Sequence, residues 1–249
     1  MKYLKAIAVG VVQGVTEFLP VSSSGHLAIL AKLGVCPTSV FYNLALHLAT
    51  LLALLFAMRK EIVALFRHPI KGEAKYVLAA SLPTVAIALL FKKCFPDLLT
   101  GRLLAFGFIL TSVLLAATEL FAREKQGSFP DLKSSLLTGA MQGVAVLPGV
   151  SRSGSTIAAM RLVGASPQEA ARFSFLLSIP VIAGGFLLEG WESGFSAAGA
   201  DVWEILIAGV AAFASGLLAV KFMLKGMKKG LKPFIPYTLA IGVICFFLP

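Results

Sequence analysis

The sequence predicts an all-α polytopic membrane protein, with about six transmembrane helices and two re-entrant helical hairpins arranged as an inverted repeat. Composition, the lengths of the apolar runs and a repeated pair of interrupted segments lead to this fold class. Of 249 residues, 58% are apolar and 14% charged, against about 25% charged in an ordinary soluble domain. That balance excludes a soluble enzyme, a disordered chain and a disulfide-rich scaffold. The net charge of +10 lies in short clusters between apolar runs rather than along one face, so it marks membrane topology and excludes nucleic acid as a partner. Cys36, Cys94 and Cys245 stand apart, with no C-x-x-C pair, and are expected as buried filler.

A spanning helix needs about 20 mostly apolar residues to cross a hydrocarbon core roughly 30 Å thick. The stretch 1–33 is apolar but interrupted near its middle; spans over 41–58, 76–91 and 103–121 follow it and complete a first half, 1–125. The stretch 136–164 is interrupted in the same way and is followed by spans over 173–188, 202–223 and 234–248, making a second half, 130–249, of one membrane domain covering 1–249. A helix broken in lipid leaves backbone groups unpaired unless protein or trapped water satisfies them, so both interrupted segments are expected inside the bundle. Lys2 and Lys5 before the apolar run 6–12 imitate a signal peptide, but Gln13 and Glu17 precede any cleavage site. Arg59, Lys60, Arg67, Lys71 and Lys75 in one connection, and Lys221, Lys225, Lys228, Lys229 and Lys232 in another, predict cytoplasmic loops. The 188–202 connection carries Glu189, Glu192 and Asp201 without Lys or Arg, which suits the outer side.

The two interrupted segments overlay without a gap at an offset of 129 residues. Gly10, Gln13, Gly14, Val15, Val21, Ser22, Ser24 and Gly25 meet Gly139, Gln142, Gly143, Val144, Val150, Ser151, Ser153 and Gly154, eight identities in sixteen positions; this composition would give about one or two by chance. Leu104, Ala105, Gly107 and Ile109 echo Leu239, Ala240, Gly242 and Ile244. Three spans and one hairpin per half give the halves opposite orientations, a design in which broken helices meet near the midplane around a binding site. The glycines also suit close helix contacts of the G-x-x-x-G kind.

The chemistry concentrates at the two breaks. In the first, Gln13 and Glu17 share a helical face, Pro20 stops that helix, and Ser22, Ser23 and Ser24 stand where they can cap the next, with His26 on its first turn. A carboxylate deep in a membrane costs at least about 2.5 kcal/mol and marks a functional site. In the second, Gly149, Ser151, Arg152, Ser153, Gly154 and Thr156 combine glycine-rich backbone, hydroxyls and one guanidinium, a nest of donors for phosphate oxygens. Arg161 and Arg172 are expected to snorkel, and His47 and His68 to be structural.

The motifs Q-G-V-T-E-F-L-P-V-S-S-S-G-H at 13–26 and P-G-V-S-R-S-G-S-T at 148–156 closely resemble those of the bacterial undecaprenyl-diphosphate phosphatase family, also associated with bacitracin resistance. The resemblance implies hydrolysis of the lipid carrier diphosphate at the outer face of the bacterial plasma membrane, returning the carrier to cell-wall synthesis. The family's acidic pair falls on Gln13 and Glu17, its serine and histidine on Ser23 and His26, and its phosphate-binding Ser, Arg and Thr on Ser151, Arg152 and Thr156. Gln13 removes one carboxylate from that pair. The acid-phosphatase-like lipid phosphatases share a P-S-G-H and S-R element but need a later His with an Asp four residues on, a pair absent after Arg152.

On this reading Arg152, Ser151, Thr156 and nearby amides hold the terminal phosphate, with Ser22, Gly149, Ser153 and Gly154 forming the rest of the nest. Glu17 either orients a water or, with Gln13, helps hold a divalent cation, Mg²⁺ or Ca²⁺. His26 is the candidate general acid or base, and Ser23 is either the nucleophile or a cap. The expected partners are the lipid diphosphate, membrane lipids and a second copy in a homodimer. The rival function is a secondary transporter or flippase for a polyprenyl phosphate or other anion, which would release the head group unchanged.

Overall fold

The computed structural model describes residues 1–37, 39–67, 72–125, 130–195, 201–226 and 230–248, and every regular element among them is helical. The first half holds α1 (Lys2–Phe18), α2 (Ser23–Lys32), α3 (Val40–Ala57), α4 (Arg59–Arg67), α5 (Ala74–Cys94), a 3-10 turn (Pro96–Thr100) and α6 (Leu104–Phe121). The second holds α7 (Leu132–Val144), α8 (Arg152–Val163), α9 (Pro167–Ser193), α10 (Val202–Gly226) and α11 (Phe234–Cys245).

Among the described residues, α3, α5, α6, α9 and α10 are long and apolar enough to cross a membrane, five rather than six. The sixth predicted span, 234–248, contains α11, whose twelve residues rise only about 18 Å. Pro233 stands at its start, and the backbone turns out of the helix at Phe246 and Phe247. The predicted span 173–188 is the middle of the longer α9, which starts earlier because Ser166 and Glu169 form a capping box around Pro167. The basic connection after α3 contains the short helix α4, which the apolar pattern did not reveal; His68, Lys71, Lys228 and Lys229 lie outside the described residues. Of the cysteines only Cys36 is buried: Cys94 is exposed, following Lys92 and Lys93 at the polar end of α5, and Cys245 is half-buried at the end of α11.

Both interrupted segments are helix–break–helix pairs. After α1, Leu19 turns extended (φ −72°, ψ 149°), as a residue before proline must, and Ser22 caps α2 by accepting from the Gly25 amide at 3.3 Å. After α7, Gly149 takes φ +89° and Ser151 caps α8 by accepting from the Gly154 amide at 3.0 Å. Each pair is fastened to a spanning helix of the other half. A Cβ at Gly10 would overlap the Ala208 carbonyl oxygen of α10, and one at Gly139 the Ala80 carbonyl oxygen of α5. The Thr84 hydroxyl donates to Gly139 O at 2.8 Å, whereas the Ser215 hydroxyl of α10 bonds Ala211 O at 2.7 Å in its own helix and lies 3.5 Å from Gly10 O. Phe18, Leu54, Leu115, Ile157, Met160 and Phe175 are buried where the two halves join.

The two arginines expected to snorkel are each paired. Arg161 reaches Glu124 at 3.4 Å and Arg172 bonds Glu73, since each has a carboxylate from another segment at its helix end. At the opposite end of the bundle Lys2 bonds Asp201 at 2.7 Å, which holds the Asp201 carboxyl below the usual carboxylate range. That pair is exposed and adds little to stability.

Overpacking the backbone contact between α7 and α5 gives a direct test of the fastening. Gly139→Val is expected to cost about 1–3 kcal/mol, read as a lower thermal unfolding midpoint in detergent, whereas Gly184→Ala, where a Cβ meets nothing within 4 Å, should leave the midpoint near wild type.

Candidate active site

The two breaks face each other across a cavity of about 190 Å³. The first helix pair supplies Thr16, Glu17, Ser22, Ser23 and Ser24 to its wall, and the second supplies Ala145, Val146, Val150, Ser151 and Arg152; positions 16, 17, 22 and 23 have their counterparts on the wall 129 residues on, whereas those of Ser24 and Val150 are not on it. Leu44 and His47 of α3 and Ile182, Gly185 and Glu189 of α9 close the sides.

Glu17 is the hub. It occupies the last turn of α1, 3% exposed, and its Oε1 is bonded to the Arg152 guanidinium at the start of α8. Its Oε2 accepts from the Ser23 hydroxyl at 2.5 Å and from the Gln13 amide at 3.0 Å, and lies 3.6 Å from His47 Nδ1. The Gln13 amide nitrogen is also 3.2 Å from His47 Nδ1, while the buried Gln13 Oε1 has no hydrogen-bond partner among the described residues. A buried acid and guanidinium sustain each other, because removing either leaves an uncompensated charge. Arg152 has donors beyond the one spent on Glu17, and a guanidinium fork suits phosphate oxygens.

The structure gathers Glu17, Ser22, Ser23, Ser151 and Arg152 on the cavity wall, with Gln13 behind Glu17. The remaining predicted residues stand back from the wall. The Ser153 hydroxyl donates to Leu19 O at 2.8 Å, tying one helix pair to the other. Thr156 donates back to Arg152 O at 2.9 Å and meets the Ser174 hydroxyl at 2.5 Å. Gly149 packs on Leu104 O and Gly107 of α6, and Gly154 serves the cap. His26 lies behind the serines, its Nδ1 2.7 Å from Ser22 O and its Nε2 2.7 Å from the Tyr237 hydroxyl. His47, expected to be structural, stands instead on the wall beside Glu17, because the inner face of α3 packs over α1. An ionisable residue in an apolar span is itself a functional signal, and that signal marks His47. Glu189 was read only as an outer-side charge, and Tyr237 carried no local signal.

A family model described as bacitracin resistance protein BacA matches residues 6–244. The chain belongs to this family. An undecaprenyl-diphosphatase of Carboxydothermus hydrogenoformans is 39% identical over 98% of this chain and 96% of its own. One of Bacteroides fragilis is 38% identical over 98% and 97%, and one of Methanobrevibacter smithii 34% identical over 99% and 97%. The match thus spans both helix breaks and every residue that walls the cavity.

The coupling of the central ion pair is open to measurement. Arg152→Met, which strands Glu17, is expected to lose about 3–5 kcal/mol of stability. The double variant with Glu17→Gln should recover most of that loss in thermal unfolding; additive losses would mean that the two groups do not depend on each other.

Proposed function

We propose that this chain hydrolyses undecaprenyl diphosphate to undecaprenyl phosphate and inorganic phosphate, in the cavity between the two breaks. The observation that carries the mechanism is the chain of contacts Ser23–Glu17–Arg152, which places a hydroxyl, a proton acceptor and a phosphate-binding cation around one space. Ser22, not Ser23, caps α2, so the Ser23 hydroxyl is left to Glu17, the arrangement of an activated nucleophile. Glu17 takes the Ser23 proton as Oγ attacks the terminal phosphorus, and passes it to the departing lipid phosphate as the anhydride bond breaks. A water then cleaves the phosphoserine, giving one proton to Glu17, which returns it to Ser23. Arg152 and the first-turn amides of α2 and α8 hold the phosphoryl oxygens.

Among the described residues no group of three or more His, Cys, Asp or Glu is gathered to hold a metal ion. Glu17 and the unpartnered Gln13 Oε1 are oxygen donors of the type that Mg²⁺ or Ca²⁺ prefers, and a cation sharing them with the substrate would take most of its ligands from phosphates and water. Such an ion would neutralise charge on the diphosphate.

The finer architecture belongs to the same proposal. The two helix–break–helix pairs form an inverted repeat of re-entrant hairpins. This is supported by the 129-residue correspondence of the wall positions, by the matching serine caps, and by α1 packing on α10 as α7 packs on α5. Arg59, Lys60, Arg67, Lys75, Lys221 and Lys225 gather at helix ends that the positive-inside rule places in the bacterial cytoplasm. Glu189, near the far end of α9, then puts the mouth of the cavity toward the outer face.

Phosphate release from undecaprenyl diphosphate by the purified chain tests this reading. Ser23→Ala and Arg152→Lys should each lower the rate by about 10² or more, and EDTA should lower it reversibly. Near-normal turnover of either variant would overturn the site. No release by folded wild type would favour a transporter using the same anion site.

A further inference from the structure

We infer that Tyr237 is a positioning residue for hydrolysis, acting through His26 to hold the Ser22 turn that aims Ser23 at Glu17. The inference rests on the phosphatase reading above and goes beyond it to a helix remote in sequence from both motifs.

Ser22 is one of two non-glycine residues with positive φ among those described, at φ +69°. Such a conformation costs about 1–3 kcal/mol and persists only where its surroundings fix it. Here the Ser22 carbonyl lies 2.7 Å from His26 Nδ1 and also accepts the His26 amide at 3.2 Å, while its hydroxyl is taken by Gly25 N and lies 3.3 Å from Ser24 Oγ. A carbonyl oxygen only accepts, so Nδ1 carries the hydrogen. In the neutral ring Nε2 is then the acceptor, and the Tyr237 hydroxyl donates to it at 2.7 Å. The imidazole lies parallel to the Tyr237 ring within 3°, and Phe108 meets it edge-on with centroids 5.3 Å apart. Tyr237 is fixed in turn because α11 is held to α6, where the Ser112 hydroxyl donates to Ile235 O at 2.9 Å.

Both ring nitrogens of His26 are therefore engaged by protein, and the ring is not on the cavity wall. The second hairpin supplies an internal control. Its matching serine, Ser151, has a relaxed φ of −75°, and the position matching His26 is Ser155. The strained turn and the histidine clamp occur together in one hairpin and are both missing from the other. In the strained hairpin, the next residue is the serine whose hydroxyl meets Glu17.

The test measures undecaprenyl diphosphate hydrolysis by the full-length wild type and by Tyr237→Phe, His26→Asn, His26→Ala and the double variant Tyr237→Phe/His26→Asn. Tyr237→Phe should lower kcat about tenfold, below the roughly 10² that a larger misplacement costs, with KM within about twofold and the pH profile unchanged in shape. The amide nitrogen of an asparagine at 26 replaces Nδ1 but cannot reach Tyr237. His26→Asn should therefore keep about tenfold more kcat than His26→Ala, and adding Tyr237→Phe to it should change nothing further. Wild-type kcat in Tyr237→Phe would overturn the inference, as would a further loss in the double variant. His26→Asn as inactive as His26→Ala, with one limb of the pH profile gone, would make His26 a proton carrier instead. An inactive folded wild type would overturn the phosphatase reading itself, so the two failures are distinguishable.

Discussion

The contact between Glu17 and Arg152 is the constraint on which the rest of the arrangement depends. An acid in the last turn of α1 and a guanidinium at the first residue of α8 are each prohibitively placed alone, since removing the partner of a buried charge costs about 3–5 kcal/mol. Together they require the end of one broken helix to meet the start of another 135 residues away. The two breaks make that meeting sterically feasible. Pro20 ends the first helix and Gly149, at φ +89°, turns the chain between the second pair. Gln13 and Ser23 then saturate the remaining carboxylate oxygen, so the pair sits in a polar pocket rather than in bare hydrocarbon.

Much of this was legible because it is local. The proline, glycines and serines that break and recap the helices lie within contiguous motifs at 13–26 and 148–156, and the caps follow the pattern those residue types dictate. What was not legible arises between helices. His47 reads as one polar residue in an apolar run, and only the packing of α3 over α1 brings it to Glu17. Glu189 and Tyr237 come from α9 and α11, whose rotation about their own axes no local pattern specifies. Thr156 shows the converse. A helical hydroxyl can always bond back to the carbonyl four residues earlier, and here Ser174 on α9 holds it there, away from the wall. The length of α11 was misjudged because apolarity continues through Phe246, Phe247 and Leu248 after the helical backbone has ended.

The wall also shows how little divergence separates two similar helix–break–helix pairs. Positions 22 and 151 are both serine and cap in the same way, whereas 17 and 146 are Glu and Val, and 23 and 152 are Ser and Arg. The carboxylate and the Ser23 hydroxyl thus stand on one helix pair and the guanidinium on the other, so neither pair alone carries the whole set.

The glycine contacts described above have a mechanical corollary. Where Gly10 of α1 meets α10 and Gly139 of α7 meets α5, backbone lies on backbone with no side chain between them to change rotamer, and at Gly139 a hydroxyl–carbonyl bond pins the contact. Interfaces of this kind do not slide in small steps. Any rearrangement that turned the cavity toward the opposite membrane face would have to carry α1 with α10, and α7 with α5, as two rigid blocks. The ion pair of Glu17 with Arg152 would lie across the seam between those blocks.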